Sequence, residues 1–144
     1  MGLLILIAML ASCSSGQSDA EEQANALLSE ARTALAAKQF SRARSSILTL
    51  RKDCPTAISA RRAAILTLDS IELLEAQDSV GLYEPQLTAA RQLLTTLEDN
   101  PNGHADPAYI AQRIIVYNME QHFDELSAKA RFFKRKLQID INSN

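Results

Sequence analysis

Four side chains in this 144-residue chain carry the atoms from which metal centres and nucleophilic sites are most often built: Cys13, Cys54, His104 and His122. A zinc site asks for three or four such ligands at short spacings, and none of these has a second His, Cys or carboxylate set at ligand spacing. His122 stands beside Asp124 and Glu125, but adjacent polar residues on a helix form a solvated face more often than a site. There is no Gly-rich phosphate loop. The serines concentrate near the N-terminus and at helix starts, so no Ser-His-Asp set can be argued. The expectation is a protein without catalytic residues, metal or cofactor. Cys54, just before Pro55, reads as a small hydrophobe at a helix end, with no intramolecular disulfide. Cys13 is the one residue whose surroundings point to chemistry.

Leu3-Leu4-Ile5-Leu6-Ile7-Ala8-Met9-Leu10 is an uncharged apolar run. It is the length of a signal-peptide core and well short of the ~20 residues a spanning helix needs. Leu10-Ala11-Ser12-Cys13 follows and resembles a bacterial lipobox: an aliphatic residue, two small residues, then cysteine. Small residues let an extended backbone enter a peptidase cleft, and the thiol can accept diacylglycerol. The resemblance implies cleavage before Cys13, which becomes a lipid-modified first residue anchored in the outer membrane of a Gram-negative envelope. The chain departs from the pattern in one respect, since only Met1 and Gly2 precede the run where Lys or Arg is usual. Ser14-Ser15-Gly16-Gln17-Ser18-Asp19 is small and polar and reads as a tether. Asp19, Glu21 and Glu22 fit the start of a helix, where negative charge is favoured. They also resemble the acidic export signal of some surface lipoproteins.

These features must be carried by helices. Apolar residues make up 47% of the chain, mostly Ala, Leu and Ile, with only 4 Gly and 4 Pro to interrupt them. That composition indicates an all-α domain. A net charge of -2 gives no reason to expect a nucleic acid partner.

From Ala20 to Ala37 the pattern is helical, with Leu27, Ala31, Ala34 and Leu35 on one face. Ser41 is a candidate cap for a second helix whose face is Ala43, Ile47 and Leu50 and which stops before Pro55. Leu27, Ala31, Phe40, Ala43, Ile47 and Pro55 have the spacing of a tetratricopeptide repeat, and the segment resembles one unit of that family. Lys38 stands where the family has its turn glycine, and Glu30 occupies a usually apolar place. The pattern does not recur one repeat length downstream. One unit cannot bury both its faces, so it must pack on the rest of the chain or on a partner. A generic helical hairpin fits the same residues.

Thr56 is a candidate cap for the next helix. Leu66, Leu73, Ala76, Val80, Tyr83, Leu87, Ala90, Leu94 and Leu97 keep one heptad-like phase, with Asp69 its one discordant member. The phase passes unbroken through Gly81 and Pro85, which predicts a kinked but nearly continuous helix. A turn is expected near residues 99–106, and Asp106-Pro107 supplies an acid at the cap and proline in the first turn of a last helix. Its seam is Val116, Met119, Phe123, Leu126, Ala130, Phe133 and Leu137, widened by Ile110, Ile114 and Ile115. Regular spacing of three and four residues asks for a helical partner. Folding back about residue 103 sets the acidic run Asp69, Glu72, Glu75 and Asp78 beside the basic run Lys129, Arg131, Lys134, Arg135 and Lys136. That register pairs Glu72 with Lys134 and Glu75 with Arg131. The same basic run, with Phe132 and Phe133, could instead meet anionic lipid or another protein.

The sequence thus predicts a leader at 1–12, a flexible tether at 13–19 and a tetratricopeptide-like hairpin at 20–55. A long antiparallel coiled-coil-like hairpin at 56–140 and a disordered tail at 141–144 complete it. The expected function is that of a lipid-anchored adaptor with a membrane partner through Cys13 and a protein partner besides. A spacer that self-associates through its helical seam is the second reading.

Overall fold

The computed structural model describes residues 13–101 and 103–143, so the leader at 1–12 lies outside the described residues. The described chain is all-α: α1 (Cys13–Ala36), α2 (Phe40–Asp53), α3 (Ile58–Glu98) and α4 (Pro107–Asn142), with a 3-10 turn at Gly103–Ala105. By contact the chain divides into two compact units, residues 1–71 and 72–144, with α3 contributing to each.

In the first unit, α1 begins at Cys13, so residues 13–19 belong to a helix and not to an extended tether. No proline interrupts them, and once the Ala-rich turns downstream are formed, each added residue gains a backbone hydrogen bond. Glu21 and Glu22 consequently lie beyond the first turn of α1, not at its start. The helix buries Ala24, Leu28, Ala31 and Ala34, with Leu27 and Leu35 partly covered. It ends in a Schellman motif: the Lys38 N–H donates to Leu35 O at 2.9 Å and the Gln39 N–H to Ala34 O at 2.8 Å. Lys38 takes a φ of 55°, the left-handed conformation that glycine adopts without penalty. The side chain at this turn therefore sits in mild strain.

α2 starts at Phe40, two residues earlier than a Ser41 cap would allow. Gln39 is its N-cap and makes no side-chain capping bond. The Schellman turn delivers the backbone straight into the helix, so Ser41 is already inside it. Ala43, Ser46, Ile47 and Leu50 form the buried face. Arg42 donates through Nε and Nη2 to Glu30 Oε1 at 3.2 and 3.0 Å, tying α2 to α1 at the surface. The helix closes at Cys54, a buried free thiol whose N–H donates to Leu50 O.

Thr56 does not cap α3. Its carbonyl accepts from Ile58 N, and the residue before the helix is Ala57, fully buried and without a side-chain acceptor. The amide a cap would serve is satisfied from elsewhere in the chain: Ala60 N donates to Glu21 Oε1 at 2.8 Å, across 39 residues. A carboxylate from α1 thus caps α3. The core of the unit is Ala24, Ala31, Ala43, Ile47, Leu50, Cys54, Ala57, Ala60, Ala64 and Ile71, with Leu68 packed against it. So many alanines allow close helix approach, and the larger Ile47, Leu50 and Ile71 fill what remains. Each of these three stabilises the fold by about 1.5–3 kcal/mol through burial.

α3 runs through Gly81 and Pro85 as one helix. Pro85 has no N–H to donate, and its ring crowds the carbonyl four residues earlier, which is that of Gly81. In the second unit the later part of α3 pairs antiparallel with α4. Gln112 Nε2 donates to Ala90 O at 2.9 Å, Arg91 Nη2 pairs with Glu120 at 2.7 Å and Lys129 pairs with Glu72 at 3.1 Å. The expected partner of Glu72 was Lys134. The contact made lies five residues away, little more than the helical turn that a lysine side chain can span. Arg131 and Lys134 make no ion pair among the described residues, so neither expected pairing forms. α4 begins as its sequence indicates, with Asp106 accepting from Ala108 N at 2.8 Å and proline at the first position. It continues to Asn142, so residues 141 and 142 are helical and not a disordered tail. Asn144 lies outside the described residues.

Two stability predictions follow from these contacts. Glu21→Ala leaves the Ala60 N–H without its acceptor and should lower stability by about 1 kcal/mol, the usual worth of a helix cap. A urea unfolding midpoint unchanged by the substitution would show that the cap contributes nothing. Gly81→Ala should raise stability by about 0.5–1 kcal/mol, because a Cβ there meets nothing within 4 Å and glycine weakens a helix interior. A fall in the thermal midpoint would instead mean that Gly81 is needed to accommodate Pro85.

Candidate interaction surface

The residues with chemical potential are dispersed. Cys54 is enclosed in the alanine-rich core, where it packs as a small apolar residue. His104, in the 3-10 turn, stacks edge-on against Tyr109 with ring centres 4.7 Å apart and lies 3.5 Å from Glu98. His122 meets Tyr83 edge-on at 4.9 Å and Glu125 at 3.7 Å. Both imidazoles therefore serve helix and turn packing at the surface. Among the described residues no group of three His, Cys, Asp or Glu could hold a metal ion. No helix among them is long and apolar enough to cross a membrane. The side chain of Cys13, the expected lipidation site, lies outside what the structure describes.

The α3–α4 pair offers surface instead. Its seam is only partly covered: Val116 and Leu87 are buried, whereas Met119, Phe123, Leu126, Ala130, Phe133 and Leu137 are half-buried. Two helices alone can shield one stripe on each, so the flanking positions remain open. Ile110, Ile114 and Ile115, expected to widen the buried face, are 50%, 57% and 48% exposed. The reason is angular. At 100° per residue, Ile110 and Ile114 fall opposite the seam marked by Val116 and Met119, and Ile115 falls at its flank. Tyr117, 60% exposed, joins Ile110 and Ile114 to make an apolar stripe on the outer face of α4.

An open groove of about 510 Å³ lies between the two helices near this stripe, lined by Leu94, Thr95, Val116 and Tyr117 and by Arg91, Arg113 and Glu120. Arg91 and Glu120 neutralise each other at 2.7 Å. Arg113 has no carboxylate partner among the described residues, which leaves one positive charge at an otherwise apolar and neutral lip. Such a surface can receive an apolar side chain with a neighbouring acidic group.

The second open region is the last part of α4. Lys129 is paired with Glu72, and Lys136 with Asp140 one turn on at 2.8 Å. Arg131, Lys134 and Arg135 make no ion pair among the described residues. Phe132, between them, is 61% exposed, and its edge-to-face contact is with Phe133 at 5.1 Å. The sequence marks this run as basic, but the expected register neutralises cations that the folded chain leaves open. Comparison of the chain with protein-family models, with curated proteins and with solved structures finds no match in any of the three.

Proposed function

We propose that the chain is a lipid-anchored cell-envelope protein that acts, without catalysis, as a helical protein–protein interaction module. The observation that carries this reading is the sequence Leu10-Ala11-Ser12-Cys13 at the end of an uncharged apolar run. A diacylglycerol on the Cys13 sulfur supplies two acyl chains, and stable anchoring needs more than the one chain that binds only marginally. The mature protein then starts at Cys13, where α1 also starts.

The interaction half of the reading is supported by the stripe of Ile110, Ile114 and Tyr117 beside the groove at Arg113. Exposed apolar side chains in a row, with an unpaired charge at the border, fit a protein contact better than a merely solvated helix. Self-association through the seam is less favoured, because Phe123 and Phe133 are already half-buried within the chain. The tetratricopeptide-like reading of the first hairpin draws support from Ala31, Ala43 and Ile47, all fully buried, and from the left-handed Lys38 at the turn.

Metabolic labelling with a tagged fatty acid tests the anchor. The wild-type chain should take up label, and Cys13→Ala should take up none and leave the membrane fraction. Label retained by Cys13→Ala would overturn the proposal.

A further inference from the structure

We infer that the last part of α4 is a docking face for an anionic lipid surface, carried by Arg131, Lys134 and Arg135 around the exposed Phe132. At about 100° per residue, Arg131, Phe132, Lys134, Arg135 and Ile139 fall within an arc of roughly 160° on one side of the helix. From Ala128 to Asn142 that arc holds no carboxylate: its other members are Gln138 and the two end residues. Lys129 and Lys136, whose acidic partners lie within the fold, stand outside this set of three open cations. Ile139 is 56% exposed, so the cations flank two apolar side chains that the fold leaves in water.

Charge and shape select the occupant. Three unneutralised cations call for a dense negative surface, and the apolar pair calls for a medium into which rings and branched chains can enter. An acidic protein segment would answer the charge, but it would also need a groove to hold its side chains. The groove beside Arg113 is lined by residues between 91 and 120, and Phe132 lies about three helical turns further along α4. A single helix face carrying cations around an aromatic residue matches a plane of anionic headgroups, where the guanidinium and ammonium groups meet phosphate and the ring sinks toward the acyl chains. This face is independent of Cys13, because it needs no lipid modification to bind.

The full chain bearing Cys13→Ala isolates the effect, with sedimentation on phosphatidylcholine vesicles made with or without phosphatidylglycerol. Binding should favour the phosphatidylglycerol vesicles and weaken as salt is raised. Each cation near such a surface is worth about fivefold in partitioning, which is about 1 kcal/mol. The combined Arg131→Gln, Lys134→Gln and Arg135→Gln variant should therefore lose about 100-fold. Phe132→Ser should weaken binding with all three cations retained. A control variant with Arg51→Gln, Lys52→Gln and Arg62→Gln, exposed cations of the first unit, should keep the preference. Equal binding to both vesicle types would overturn the inference, as would an equal loss in the control variant. So would soluble polyglutamate binding that depends on the three cations while Phe132→Ser leaves vesicle binding unchanged, which would assign the face to an acidic protein. Circular dichroism of each variant verifies that the helices persist.

Discussion

The carboxylate of Glu21 on the Ala60 amide is the contact on which the N-terminal unit turns. A helix that opens with Ala57 has no side chain of its own to satisfy its first amides. Ile58 finds its acceptor in the Thr56 carbonyl, but without Glu21 the N–H of Ala60, a residue buried in the alanine-rich core, would lose its partner. Glu21 solves this from α1 and so fixes where α3 begins relative to α1, at 2.8 Å. The small residues then become an advantage. Alanines at positions 24, 31, 43, 57, 60 and 64 let three helices approach closely, and Ile47, Leu50 and Ile71 provide the larger buried volumes. Cys54 belongs to the same packing and is fully buried in it.

The second unit works by a different constraint. A pair of long helices can cover only the stripe each turns to the other. Its ties include Gln112 to the Ala90 carbonyl, Arg91 to Glu120, Tyr83 to His122 and Lys129 to Glu72. Exposed ion pairs of this kind contribute at most about 1 kcal/mol each, so they set register more than they supply stability. What the pair cannot cover becomes available surface. The two open regions of α4 differ in chemistry, one apolar with a single cation, the other cationic around an aromatic ring.

Local signals in the sequence were the ones that carried through to the structure. Asp106-Pro107 reads as a helix start because the acid and the proline each act within three residues, and the cap forms with that geometry. The unbroken apolar phase across Gly81 and Pro85 outweighs the helix-breaking tendency of either residue, and α3 is continuous. Signals that depend on distant partners were not legible. Nothing near Glu21 indicates that it will cap a helix 39 residues on. Nothing near Ser41 or Thr56 shows that backbone geometry at the preceding turn will make their side chains redundant as caps. The contacts of Tyr83 with His122, Arg91 with Glu120 and Glu72 with Lys129 fall on either side of the expected fold-back, so the antiparallel register is legible, whereas the choice of Lys129 over Lys134 as the partner of Glu72 is not. Ile110 and Ile114 lie close to the seam in sequence, but the helical angle sets them behind it, where they are exposed.

We propose that Cys13 becomes the lipid-bearing first residue of an envelope-tethered helical protein. Intact-mass and peptide mass spectrometry of the protein recovered from membranes tests it most directly. The recovered chain should begin at Cys13, lack Met1 to Ser12, and carry the added mass of diacylglycerol on its N-terminal peptide. A chain that retains Met1 to Ser12, or begins at Cys13 with an unmodified thiol, would contradict it.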